Sequence, residues 1–221
     1  QAFGLAGNVS STGNVTGSSG LGGDISLTTL NNGQLDVAAA ANFDASGTGS
    51  MGGGSGNGGS GKGGTVPVLA QGGGIVFHGL TFLRALGTAG AGADNSCVFA
   101  RGGTLEFQAD GGNIGVTGQL ALTADAFVTA PNAGQDGADG FGGSSIVSAI
   151  NGGNIAIDGT AIITAAGNGS DANGGITGLA GNGFGGNSQI VATGNGVIGI
   201  TGGATVNSQA IGGNGLIAGT D

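Results

Sequence analysis

A repeat of about forty residues organises this chain. Pairs of glycines precede an apolar segment at five places, which begin at Gly22, Gly63, Gly102, Gly142 and Gly185, at intervals of 41, 39, 40 and 43 residues. A second column recurs with nearly the same period at Leu35, Ile75, Ile114, Ile155 and Ile198. Two columns of different chemistry with one period are not a product of glycine content. They predict a fold of stacked, equivalent units.

Apolar residues alternate within each repeat. Two positions after the second column, the chain has Val37, Phe77, Val116, Ile157 and Ile200. Alternation with period two is typical of a strand with one buried face. Two positions further on, the first copy has Ala39 and the later copies have Gly79, Gly118, Gly159 and Gly202. We expect these glycines to form a corner between two strands, because glycine readily adopts positive φ. Apolar residues then resume.

A third short strand is predicted after each glycine pair. Three strands form one triangular coil, and a long glycine-rich loop leads to the next coil. Equivalent strands of successive coils then pair in parallel, about 4.8 Å apart. The predicted fold is therefore all-β, a parallel β-helix (β-solenoid) of about five coils. Residues 22–221 form the single solenoid domain, and residues 1–21 form a loop-like segment or a partial repeat.

Composition and charge exclude several classes of partner. The chain of 221 residues has 58 glycines, a net charge of −9 and only three basic residues, Lys62, Arg84 and Arg101. Nucleic acid and anionic membrane surfaces are therefore poor partners, since both require clustered cations. No apolar run approaches the roughly 18 residues that span a bilayer, so we expect no membrane insertion of this segment. Cys97 is the only cysteine and cannot form an internal disulfide.

Candidate catalytic residues do not converge. His78 follows Phe77, so strand alternation directs it outward, and no serine or cysteine is placed to act with it as a nucleophile. Polysaccharide-cleaving solenoids use clustered acidic groups, whereas Arg84 and Arg101 here lack recurring acidic neighbours. We expect a protein that is not an enzyme and that has no cofactor.

One loop carries a weak calcium signal. Residues 134–140 resemble half of a calcium-binding Gly/Asp repeat, with Asp136 and Asp139 as candidate ligands. Asp171 lies in the next loop at a different offset, although such sites need oxygens at matching positions in successive turns. A solvated polar loop is the alternative interpretation.

The loops and the two ends predict surfaces for association. All loops should emerge on one side, which in repeat proteins is often the binding face. Phe99, Phe141 and Phe184 lie where the loops return, and we expect them to cover the tube there. Unpaired strands at either end predict a longer parent chain or end-to-end stacking into fibres.

The pattern Gly-Gly-Asn-Ile-x-[Val/Ile]-x-Gly at residues 111–118 and 152–159 resembles the repeat regions of large secreted bacterial adhesins. These are filamentous-haemagglutinin-like exoproteins and autotransporter passenger domains of Gram-negative bacteria. The resemblance covers residues 22–211 in composition and repeat style. It implies a right-handed β-helix, exported to the cell surface for attachment to surface glycans or host and matrix receptors, or for building a biofilm matrix.

The predicted function is therefore structural: a rigid, elongated segment of a cell-surface adhesin or extracellular filament. The alternative is a binding module whose loops hold a glycan or calcium.

Overall fold

The computed structural model describes residues 4–5, 15–53, 56–92, 98–129, 136–173 and 179–215, and these contain strands and turns but no helix. A short strand, β1 (Gly4–Leu5), precedes five coils of five strands each. The first coil comprises β2 (Gly20–Leu21), β3 (Leu27–Leu30), β4 (Gln34–Val37), β5 (Ala41–Asp44) and β6 (Gly47–Thr48). The second comprises β7 (Gly61–Lys62), β8 (Thr65–Gln71), β9 (Gly74–Phe77), β10 (Thr81–Arg84) and β11 (Gly87–Ala89). The third comprises β12 (Phe99–Arg101), β13 (Thr104–Asp110), β14 (Asn113–Val116), β15 (Leu120–Thr123) and β16 (Ala126–Val128). The fourth comprises β17 (Asp139–Phe141), β18 (Ser144–Ile150), β19 (Asn154–Ile157), β20 (Ala161–Thr164) and β21 (Gly167–Asn168). The fifth comprises β22 (Gly183–Phe184), β23 (Asn187–Ala192), β24 (Val197–Ile200), β25 (Ala204–Asn207) and β26 (Ala210–Ile211).

Equivalent strands of successive coils form five parallel sheets that run along the axis. We number them in the order in which each coil enters them: sheet 1 (β2-β7-β12-β17-β22), sheet 2 (β3-β8-β13-β18-β23), sheet 3 (β4-β9-β14-β19-β24), sheet 4 (β5-β10-β15-β20-β25) and sheet 5 (β1-β6-β11-β16-β21-β26). The predicted parallel β-solenoid is thus confirmed. Its five coils stack along the axis, and four steps lead from the first coil to the fifth.

Each coil has five strands where the sequence predicted three. The additional strands belong to sheets 5 and 1 and lie within the segments that were expected to be loops. Their sequences, such as Gly61–Lys62 and Gly167–Asn168, are too short and too rich in glycine to show apolar alternation. Backbone pairing with the equivalent strands of adjacent coils, and not a pattern of apolar side chains, therefore defines these strands.

Sheets 2, 3 and 4 enclose a triangular apolar core. Register partners across sheet 3 place Leu35, Ile75, Ile114, Ile155 and Ile198 in one ladder. The neighbouring ladder contains Val37, Phe77, Val116, Ile157 and Ile200. Phe77 and Phe107 are the largest fully buried side chains, with ring centroids 6.0 Å apart. Apolar side chains of successive coils thus stack in ladders within each sheet, and the Phe77 and Phe107 rings meet across the core from sheets 3 and 2.

Sheets 5 and 1 lie against each other and form a thin extension of the coil, which we call the glycine arm. Its small separate core consists of Ala89, Val98, Ala100, Ala126 and Ala138, with Val128 packed against it. The two backbones approach so closely that a methyl group on Gly61 would overlap the carbonyl of Thr88, and one on Gly87 would overlap that of Arg101. Only glycine and alanine fit most inward positions of this arm.

A hydrogen bond crosses the interior of the solenoid where the triangular core meets the glycine arm. In the last four of the five glycine pairs, the second glycine donates its backbone N–H to the carbonyl of an alanine that follows sheet 4, and we call this crossing the waist. The four bonds, each 2.7 Å long, join Gly64 to Ala45, Gly103 to Ala85, Gly143 to Ala124, and Gly186 to Ala165. The waist accounts for the recurring glycine pairs and for the alanine column that accompanies them, and it separates the two cores.

The column Gly79, Gly118, Gly159 and Gly202 does not adopt the positive φ that the sequence suggested. Positive φ lies instead mainly at the corner between sheets 2 and 3, at Asn31, Asn32, Gly72, Gly111, Asn151, Gly152, Gly194 and Asn195. The glycine column is needed for close stacking, because a Cβ on Gly159 would lie 2.6 Å from the carbonyl oxygen of Gly118 in the preceding coil. Ala39 occupies this column in the first coil.

Two short strands among the described residues before Gly22 pair with the solenoid. Gly4–Leu5 pairs in parallel with Gly47–Thr48, and Gly20–Leu21 pairs with Gly61–Lys62. The first of these strands is the first member of sheet 5, and the second opens the first coil as the first member of sheet 1.

The close backbone contact at the waist predicts that the effect of a Gly→Ala substitution on stability depends on its position. Gly103→Ala would place a Cβ against the Gly64 carbonyl and 2.8 Å from the Ala85 Cβ. We expect it to lower the free energy of unfolding by about 2–3 kcal/mol, because no space exists for the added methyl group. Urea denaturation followed by circular dichroism measures the change.

Gly115→Ala is the matched control, since no atom lies within 4 Å of the position that its Cβ would occupy on the outer face of sheet 3. Restricting the unfolded chain should leave this variant equally stable or up to about 1 kcal/mol more stable. Equal destabilisation by the two substitutions would contradict the waist as the cause.

Candidate functional site

A groove of about 580 Å³ runs along the outside of the solenoid, over the glycine pairs. We call it the axial groove. One wall is the outward column of sheet 1, in which the residues directly before the glycine pairs are register partners: Leu21, Lys62, Arg101, Phe141 and Phe184. The groove therefore crosses all five coils, and each coil contributes one side chain to this wall.

The opposite wall is polar. It consists of Asp24, Thr65, Thr104 and Ser144, which lie at the start of the sheet 2 segment in successive coils. Asp24 accepts a hydrogen bond of 2.6 Å from the Thr65 hydroxyl. The glycine pairs form the floor between the two walls.

Two of the three basic residues of the chain are neighbours on this wall. Lys62 and Arg101 are register partners on adjacent strands, and both side chains are exposed. The Arg101 guanidinium lies 5.8 Å from the ring centroid of Phe99 and 5.4 Å from that of Phe141. Within the described part of the chain, no carboxylate forms a salt bridge with either cation. The pair therefore makes a local positive site on a strongly acidic protein.

Aromatic rings continue the same wall toward the fifth coil. Phe141 and Phe184 stack with centroids 4.6 Å apart and an interplanar angle of 4°. Phe99, Phe141 and Phe184 lie on the outward face of sheet 1, and Phe184 is 45% exposed. The inward positions between them belong to Ala100 and Gly140, since the glycine arm has no room for a ring.

Sequence reasoning missed the cation pair. Lys62 and Arg101 are 39 residues apart in the sequence, although both directly precede a glycine pair. An alignment of the five repeats that included the residue before each pair would have placed them in one column. Arg84, the third basic residue, lies on sheet 4, with its guanidinium 5.9 Å from the Phe82 ring centroid.

Two of the three candidate calcium ligands, Asp139 and Asp171, form hydrogen bonds with the next coil. Asp139 accepts hydrogen bonds from the backbone N–H (2.7 Å) and side-chain amide (3.2 Å) of Asn182. Asp171 accepts the equivalent bonds from Asn214. Asp136 is buried, and residues 130–135 lie outside the described part of the chain. In the described ranges, no three His, Cys, Asp or Glu side chains are grouped as a metal site would require.

His78 lies on the surface and pairs with Asp36 of the preceding coil, with Nε2 3.1 Å from Oδ1. The His78 side chain is about half exposed and that of Asp36 is largely exposed, and His78 lies outside the residues that line the axial groove. This pair bridges two coils on the outer surface of sheet 3.

Comparison with protein-family models, with curated proteins and with solved structures finds no match for this chain. In the described ranges, no helix has the length and apolar character needed to span a membrane. Function must therefore be argued from the solenoid and its surface.

The contact of Asp125 with the next coil predicts how a carboxylate stabilises the stacking of coils. It is only 9% exposed, and its Oδ1 accepts the backbone N–H of Ala166 in the next coil at 2.7 Å. Asp125→Ala should lower the free energy of unfolding by about 1–2 kcal/mol, because this N–H loses its acceptor.

Asp125→Asn retains an oxygen at the same place and serves as the matched control. Chemical denaturation of both variants should give a smaller loss for asparagine than for alanine. Equal losses would mean that the charge, rather than the hydrogen bond, provides the stabilisation.

Proposed function

We propose that this chain is a rigid, non-enzymatic segment of an elongated protein at the surface of a Gram-negative bacterium, where it supports attachment or the building of an extracellular matrix. The observation that carries the proposal is the continuity of the five sheets. Each sheet passes through every coil, so the backbone is hydrogen-bonded along the whole length of the segment.

Rigidity follows from this arrangement. A bend of the axis would have to lengthen hydrogen bonds in several sheets at once, and the waist bonds would resist shear between the triangular core and the glycine arm. Stability is then a sum of contributions from each coil and each contact between neighbouring coils. Such a segment can be lengthened by whole coils without a change in its cross-section, which suits a stalk.

The non-enzymatic part of the proposal rests on the distribution of reactive groups. In the described ranges, His78 is paired with a surface carboxylate, and Asp139 and Asp171 hold backbone and side-chain amides of the next coil. These groups lie on different coils or faces and do not surround a common substrate position. Their interactions favour a structural role for each.

Distances between spin labels on different coils test whether the segment is a rigid stalk. Spin labels at positions 28 and 191, which occupy one column of sheet 2, are separated by four coil steps. After replacement of Cys97, we expect a narrow distance distribution near 19 Å, based on about 4.8 Å per step. Pulsed electron spin resonance measures it.

Removal of residues 102–141, one whole repeat, should shorten this distance to about 14 Å and keep the chain folded. Removal of residues 102–121, half a repeat, is the matched control and should unfold the later coils, because it breaks the register. A broad distribution in the intact chain, or tolerance of the half-repeat deletion, would contradict a rigid modular stalk.

Surface display tests the attachment role. Bacteria that present the intact chain should adhere to a matrix-coated surface more than bacteria that present the half-repeat deletion at equal surface density. Equal adhesion of the two strains, or turnover of polysaccharides or phosphoesters by the purified chain, would contradict the proposal.

A further inference from the structure

We propose that the axial groove is a binding site for a linear glycan that carries carboxylate groups, such as a chain containing uronic acids. The charge distribution is the first argument. The chain has a net charge of −9, yet two of its three cations lie side by side in one groove, and no described carboxylate forms a salt bridge with either. Adjacent unpaired cations in a concave site favour an anionic ligand.

The position of Arg101 strengthens this argument. Its guanidinium lies within cation–π distance of two rings, 5.8 Å from the Phe99 centroid and 5.4 Å from the Phe141 centroid, and these contacts favour one placement of the side chain in the groove. A guanidinium can donate two parallel hydrogen bonds to one carboxylate. Lys62, on the adjacent strand, provides a second and more mobile cation for the same group or for the next one along the groove.

The two walls match the mixed chemistry of a sugar chain. Thr65, Thr104 and Ser144 present hydroxyl groups in successive coils, which can exchange hydrogen bonds with sugar hydroxyls. Leu21, Phe141 and Phe184 present apolar surface on the other wall, which can cover the C–H faces of pyranose rings. Glycines on the floor let a flat chain approach the backbone closely.

The length and direction of the groove favour a polymer over a compact anion. The column from Leu21 to Phe184 covers four coil steps, roughly 19 Å at about 4.8 Å per step. Asp24 lies at the first-coil end and would repel a carboxylate there. Anionic groups should therefore bind at the second and third coils, beside Lys62 and Arg101, with sugar rings extending toward Phe141 and Phe184.

Other linear occupants fit less well. An extended acidic peptide would gain its main affinity by adding a strand to a free sheet edge, but the wall of the groove is the face of sheet 1, whose strands pair with their neighbours between coils. A nucleic acid requires cations at many successive phosphates, and only two coils provide one here. The hydroxyl wall and the single cation pair together favour a glycan.

Titration calorimetry with short oligogalacturonides, which carry one carboxylate on each ring, tests the site. We expect the 221-residue chain to bind them and to bind neutral malto-oligosaccharides of the same length at least about tenfold more weakly, because these lack the groups that pair with the cations. Lys62→Gln combined with Arg101→Gln should reduce affinity for the oligogalacturonides about tenfold or more.

Arg84→Gln is the matched control, since it removes the third cation, which lies on sheet 4 outside the groove. It should leave affinity unchanged within about twofold, and all variants should keep the melting temperature of the parent. A loss of affinity with Arg84→Gln equal to that of the double variant would overturn the site, because it would indicate an effect of net charge.

Short polyglutamate chains separate glycan recognition from anion attraction. We expect them to bind more weakly than oligogalacturonides at equal charge, since they cannot use the hydroxyl wall. Equal affinity of the two polymers would overturn the glycan assignment, and an absence of oligogalacturonide binding would overturn the site itself. The stalk is tested separately by the label distances, so failure of the groove proposal leaves the stalk proposal intact.

Discussion

The hydrogen bond at the waist is the interaction on which the rest of the structure depends. A buried peptide group must find a partner, and at this point in four of the five coils the partner is a carbonyl on the opposite side of the same tube. The 2.7 Å bonds from Gly64, Gly103, Gly143 and Gly186 bring two backbones together with no side chain between them. That approach requires glycine, and it divides the cross-section into a triangular core and a glycine arm.

This division explains how a chain with so few large side chains can fold. The triangular core concentrates Phe, Ile, Leu and Val in three sheets, where equivalent residues stack. The glycine arm needs almost no apolar volume, because its two sheets are in backbone contact and its core is built largely from alanine. Hydrogen bonds between coils, rather than buried area, stabilise the arm. The many glycines are thus a packing requirement and not a sign of disorder.

The triangular core was predictable and the arm was not, for a physical reason. Sheet 3 has a side-chain period of two, so Ile75, Ile114 and Ile155 reveal both the strand and its register. In the arm, strands such as Gly61–Lys62 have too few side chains to show any period, and only their pairing defines them. The proximity of Lys62 and Arg101 could not be predicted for the same reason, because both belong to strands of the glycine arm whose sequences are typical of loops.

Inward and outward columns of this fold are constrained very differently. An inward change at Ile114 alters packing with the coils on both sides, and a change at Gly103 disturbs the waist, so both positions are restricted by folding. The outward column before each glycine pair has no such restriction: it holds an aliphatic, two basic and two aromatic residues on one unchanged backbone. Recognition chemistry can therefore change coil by coil without loss of the fold. A ligand that repeats along its length is the natural match for a surface with that property, because each coil presents its side chain at the same position in the groove.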